Sequence, residues 1–195
     1  SVPFDFPAWG LNSMSISAFN AIYYRREGIK HQPFLTSYDP YFYPLDAIGH
    51  WNRLYGKRGF VQYQCVIPER SAFVGIKALL QELSGSRRPS FLAVLKRLGA
   101  QGRGMLSFPM AGYTLALDLP IRDDGLFALL NKLDEIVLQN GGRVYLAKDA
   151  RLSAKSFRAM YPRYAEWTRI KKAVDSQNRF SSSLSRRLEI GSTHE

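Results

Sequence analysis

Between Phe60 and Ala147 the apolar positions switch repeatedly between the period of a strand and the period of a helix, and the order of those switches is what most restricts the fold. Phe60-Val61-Gln62-Tyr63-Gln64-Cys65-Val66-Ile67 alternates as a strand does, and Pro68 closes it. From Ser71 to Leu83 the apolar residues Phe73, Ile76, Leu79, Leu80 and Leu83 follow helical spacing. Phe91 to Leu95 reads as a second strand. After glycines at Gly99, Gly102 and Gly104, Tyr113 to Ile121 reads as a third. Asp123 caps a helix through Leu126, Leu129, Leu130, Leu133 and Val137, Asn140-Gly141-Gly142 stops it, and Arg143 to Ala147 supplies a fourth strand. Strand, helix, strand, strand, helix, strand is the split βαβ order of a ferredoxin-like α+β fold, in which an antiparallel sheet carries two helices on one face and leaves the other for something else.

The flanks are less regular. Residues 1–58 read as an aromatic, Pro-rich arm, a short helix capped by Ser15 or Ser17 and stopped by Gly28, a long loop from Ile29 to Pro44 expected to pack poorly, and a brief helix capped by Asp46. Residues 59–148 form the sheet domain. Residues 149–195 hold two helical segments, Ser153 to Met160 and Arg163 to Val174, and a Ser-rich basic tail from Ser181 to Arg187. Ser1 is not a Met, and Phe4, Phe6 and Trp9 stand where a free terminus is usually polar, so an upstream segment is expected to pack against them.

The net charge of +11 suits an anionic partner, and it is concentrated: residues 143–195 hold 12 basic and 5 acidic side chains. Nucleic acid, an acidic membrane surface and a phosphorylated ligand all satisfy it. A hydrophobic content of 46% excludes a disordered chain. One cysteine, Cys65, cannot close an internal disulfide, and no Cys/His spacing suits a metal ion. No segment has the roughly 20 continuous apolar residues of a spanning helix, so a location in the cytoplasm or at the membrane periphery is expected. Phosphate-loop, dinucleotide and nucleophile-elbow motifs do not occur, and His31, His50 and His194 are dispersed, which argues against a self-contained kinase or hydrolase site.

Polar residues interrupt the strands at particular places. Gln62 and Gln64 share one face of the first strand, Lys96 ends the second, and Asp118 lies between Leu115-Ala116-Leu117 and Leu119-Pro120-Ile121. Each alone is an ordinary solvated strand residue. Together, on the face opposite the helices, they make a wall suited to a polar substrate, and a carboxylate so placed needs a partner if buried.

Several blocks together carry a family resemblance: Phe42-Tyr43-Pro44-Leu45-Asp46, Trp51-Asn52-Arg53-Leu54-Tyr55-Gly56, Gln62-Tyr63-Gln64, Lys96-Arg97-Leu98-Gly99 and Leu106-Ser107-Phe108-Pro109. Asp118-Leu119-Pro120-Ile121, Gly141-Gly142-Arg143 with Tyr145 and Ala147-Lys148-Asp149, Met160-Tyr161-Pro162 with Trp167, and Arg186-Arg187-Leu188-Glu189 extend it. Over about residues 10–190 the chain resembles the C-terminal half of the decaprenylphosphoryl-β-D-ribose 2′-oxidases and their relatives, FAD-linked oxidases of the vanillyl-alcohol oxidase type. The resemblance implies the substrate or cap domain of a flavoenzyme that oxidises a sugar hydroxyl to a ketone, on a phosphorylated or polyprenyl-phosphate-linked pentose. FAD would be held mainly by an N-terminal domain absent from this chain, so the chain alone is expected to be inactive and to hold FAD weakly. It places Lys148, as the catalytic cation, and Tyr145 beside the isoalloxazine, and Gln62, Gln64, Lys96, Thr114 and Asp118 along the substrate. Thr114 and Ala116 stand where the mycobacterial members have Asn and Cys, so the resemblance leaves the sugar open.

The competing reading is a ferredoxin-like nucleic-acid-binding module, which a pI of about 9.9 and aromatic residues on the sheet suit. Against it, the strands lack the basic-Gly-aromatic run of an RNA-recognition motif, and the excess charge lies in the terminal helices and tail.

Overall fold

The computed structural model describes residues 1–7, 10, 12–28, 35–43, 48–88, 90 and 92–191. In chain order they form α1 (Ser13–Gly28), α2 (Tyr38–Phe42), β1 (Phe60–Pro68), α3 (Ala72–Gly85), β2 (Leu92–Leu98), β3 (Gly112–Pro120), α4 (Gly125–Gln139), β4 (Arg143–Val144), α5 (Ala154–Met160), α6 (Tyr164–Val174) and α7 (Ser183–Arg187). Short 3-10 turns occupy Trp51–Tyr55, Glu69–Ser71 and Leu146–Lys148. The strands pair antiparallel in the order β2-β3-β1-β4, the ferredoxin-like order that the alternating pattern predicts.

Alternation decides which side chains meet the helices. Tyr63, Cys65 and Ile67 on β1 and Leu115, Leu117 and Leu119 on β3 enter one buried cluster with Ile76 and Leu79 of α3 and Leu126, Leu130, Leu133 and Val137 of α4. The cluster continues into the C-terminal region through Leu152, Phe157, Met160, Tyr161 and Leu188. Burial of this kind contributes about 25 cal/mol per Å² of apolar surface and is the main force holding the layers together. One glycine pair shapes the sheet's end. Gly141 ends α4 with φ of 70°, and a Cβ on Gly142 would lie 2.4 Å from the Val66 carbonyl oxygen, so only glycine lets β4 press against β1.

The structure corrects the sequence reading in three places. α1 is capped by Asn12 and not by Ser15 or Ser17: Asn12 Oδ1 accepts the Met14 and Ser15 N–H groups at 2.9 Å, and Ser15 Oγ accepts the Asn12 N–H at 3.0 Å. Ser15 is the reciprocal partner of the cap, because an amide oxygen one residue before the helix reaches two free N–H groups at once. The fourth strand ends at Val144, and the chain turns over Leu146–Lys148 in place of running to Ala147. The basic tail is folded: Ser182 and Ser185 form a capping box that starts α7, and Leu188 beyond it is fully buried. Of the loop from Ile29 to Pro44, residues 29–34 and 44 lie outside the described residues, as do Trp9, Asp46 and Phe91. The described part forms α2, whose Tyr38 is 61% exposed and packs its ring on Phe42 at 4.9 Å.

Candidate functional site

The face of the sheet opposite α3 and α4 is organised in rows by the strand register. Lys96 of β2, Thr114 of β3, Val66 of β1 and Arg143 of β4 form one row. Val94, Ala116 and Gln64 form the next, and Tyr145 joins it by donating its N–H to the Gln64 carbonyl at 2.8 Å. Leu92, Asp118 and Gln62 form the third. Paired residues of antiparallel strands point the same way, so all of these side chains share one face. Gln62, Gln64, Lys96, Thr114, Asp118 and Tyr145, chosen from sequence, are therefore brought onto a single surface.

Asp118 is the centre of this surface. It is 3% exposed, its Oδ1 accepts the Gln62 amide at 3.0 Å, and its Oδ2 accepts the Tyr55 hydroxyl at 3.4 Å. Burial holds its carboxyl above the ordinary carboxylate range, opposed by the Gln62 hydrogen bond, the charge of Lys148 and the Tyr55 hydrogen bond. Burial, and then the neighbouring Asp118, push the Tyr55 phenol far above its usual value, so it stays protonated and remains a donor. Ser90 closes the back of the site: its hydroxyl accepts the Asp118 N–H at 3.2 Å and donates to the Asp118 carbonyl at 3.0 Å. Along the neighbouring row Gln64 donates to Thr114 Oγ1 at 3.0 Å.

Lys148 reaches this surface because the strand stops early. A strand through residues 145–148 would send Tyr145 and Lys148 to opposite faces. Instead the 3-10 turn, closed by the Lys148 N–H on the Tyr145 carbonyl at 3.1 Å, brings the ammonium near enough to Asp118 for its charge to act there. Tyr145 stacks on Phe108, ring centroids 4.6 Å apart. Lys96 sits apart: it is exposed on the edge strand, opposite Thr114 and four residues along β2 from the partner of Asp118.

Tyr55, Ser90 and Phe108 belong to the surface although the sequence reading did not single them out as site residues. Each lies in a connecting segment without periodicity. The signal for Tyr55 was its place in the block Trp51-Asn52-Arg53-Leu54-Tyr55-Gly56 that carries the family resemblance; it packs on Trp51 at 5.8 Å and on Phe60 at 4.2 Å. Arg143 is a further case. It is 6% exposed, donates to the Ser107 carbonyl at 2.8 Å, lies 5.4 Å from the Tyr161 ring centroid, and its Nε has no hydrogen-bond partner among the described residues.

In comparison with known proteins, residues 125–188 match the D-arabinono-1,4-lactone oxidase family model. The chain is similar to the decaprenylphosphoryl-β-D-ribose oxidase of Mycolicibacterium smegmatis, with 38% identity over 97% of this chain and 41% of that protein. An uncharacterised protein from the mprA 5′ region of Streptomyces coelicolor is 39% identical over 132 residues, 68% of this chain and 36% of its own length. The chain thus spans about two-fifths of the length of the curated relatives it matches. Among the described residues no helix is long and apolar enough to cross a membrane.

Proposed function

We propose that the polar face of the sheet is the substrate wall of an FAD-dependent oxidoreductase that oxidises a sugar hydroxyl to a ketone, with a phosphorylated or polyprenyl-phosphate-linked pentose as the substrate class. The observation that carries this reading is the convergence of Asp118, Gln62, Gln64, Thr114, Tyr145 and Lys148 on the face the helices leave free, in a homologue of a polyprenyl-phosphoribose oxidase. The donor set beside Asp118 suits the redox end of a flavin: the Lys148 cation, the Tyr145–Phe108 aromatic pair and the amides of Gln62 and Gln64, without a phosphate-binding loop among the described residues. That composition agrees with a cofactor whose remaining contacts come from another domain. FAD bound here would supply the acceptor for a hydride.

The residues of this chain would then divide the work. Gln62, Gln64 and Thr114 offer fixed amide and hydroxyl groups to the sugar hydroxyls. Oxidation of an alcohol releases a hydride from carbon and a proton from oxygen. Asp118 is the carboxylate on the wall able to take the proton, and its burial makes it hold that proton more firmly than a solvated aspartate does. Lys148 keeps a positive charge in place as negative charge builds on the acceptor. An RNA-binding role fits this face poorly, because a carboxylate lies at its centre. In a protein joined to its FAD-binding domain, Lys148→Ala is expected to slow anaerobic flavin reduction by about 10²-fold at saturating substrate while affecting substrate affinity less. Stopped-flow bleaching of the flavin measures it, and an unchanged rate removes Lys148 from the mechanism.

A further inference from the structure

The turn that carries Lys148 is held from a distance. Asp149, next to it, is buried: its side chain is 3% exposed. Its Oδ1 accepts the N–H groups of Arg151 at 2.9 Å and Leu152 at 2.7 Å, which fixes the chain just after the 3-10 turn. Its Oδ2 accepts Arg187 Nη2 at 2.7 Å, and Arg187 Nη1 donates to the Leu152 carbonyl at 2.5 Å. The guanidinium of α7 therefore spans both ends of the segment that follows Lys148. Leu188, fully buried, anchors α7 against the same core. A guanidinium divided between a carboxylate and a carbonyl fixes orientation as well as distance, which a single point charge does not.

We propose that Arg187 is a positioning residue for Lys148: through Asp149 it locks the turn that presents the Lys148 ammonium to Asp118. The proposal deepens the reading of Lys148 as the flavin-facing cation and rests on that reading for its catalytic meaning. Its test needs no flavin, so it fails or stands separately. Asp118 reports where Lys148 is, because among the described residues the charged and titratable groups acting on its carboxyl are Lys148 and Tyr55, with Gln62 as neutral partner. The Asp118 carboxyl is followed by carbon NMR through an acid titration of the whole chain. Lys148→Met is expected to raise its midpoint. Arg187→Gln should raise it at least about half as far, and should add nothing once Lys148 is already Met, since the effect passes through that side chain. A direct effect of the lost guanidinium charge would persist in the double variant and would overturn the proposal. So would an Arg187→Gln protein that melts earlier but keeps the wild-type midpoint. If Arg187→Gln does not fold, Asp149→Asn reads the same contact, since it retains an acceptor for Arg151 and Leu152. Removing a negative charge would by itself lower the Asp118 midpoint, whereas release of Lys148 raises it. A rise supports the clamp, and a fall or no change overturns it.

Discussion

Each face of the sheet buries a carboxylate, and the two are treated differently. On the helix side Asp134 of α4 accepts the Tyr63 hydroxyl at 3.1 Å and is paired directly with Arg151. On the open side, among the described residues, the Asp118 carboxylate meets the neutral Gln62 and Tyr55 at hydrogen-bond distance, with Lys148 acting by charge. Burial raises both carboxyls above the ordinary range. Asp134 has a full counter-charge in contact and so completes a structural network. Asp118 does not, and it keeps lone pairs and proton affinity that a substrate can use. The same contrast runs along the strands, where apolar side chains face α3 and α4 and amides, hydroxyls and a carboxylate face away.

If the helix-side face carries the stability and the open face the chemistry, Leu119→Ala should give the largest loss. Leu119 is fully buried in the helix-side cluster, and the truncation is expected to cost about 2–5 kcal/mol in urea unfolding. A loss under about 1 kcal/mol would mean that this face is not the core. Asp118→Asn should have a smaller effect of opposite sign. Because the folded midpoint of Asp118 is raised, wild-type stability is highest below the unfolded carboxylate pKa and falls as pH rises through the folded one. The asparagine variant lacks that fall, so it should match wild type near about pH 3 and exceed it at about pH 7. Equal slopes in the two proteins would show that Asp118 is not held as described. Gln64→Ala should be the mildest, under about 1 kcal/mol, since it removes one partly exposed amide bond to Thr114. A large loss there would blur the division between the faces.

Much of the sheet was legible because strand alternation has a period of two, and that period survives in a single sequence. Phe60–Pro68 and Gly112–Pro120 differ from the expected strands by a residue or so at their ends. Gln62, Gln64 and Asp118 stood out because they break apolar runs, and the register then placed Gln62 directly opposite Asp118. The arm and loop residues carried no such period. Tyr55 and Phe108 reach the open face only through where their segments end in space.

Local sequence by itself determined the strand and helix order and the face on which each strand residue lies, because each depends on neighbours within a few positions. The tertiary structure alone decided that β4 stops at Val144 and that Lys148 turns toward Asp118. The reason is physical: the Lys148 and Asp149 N–H groups close on the Tyr145 and Leu146 carbonyls in place of a ladder, and the Asp149 carboxylate that follows the turn is paired with Arg187, 38 residues further along the chain. A contact across that separation leaves no trace in local spacing and forms only once the core has brought α7 against the turn.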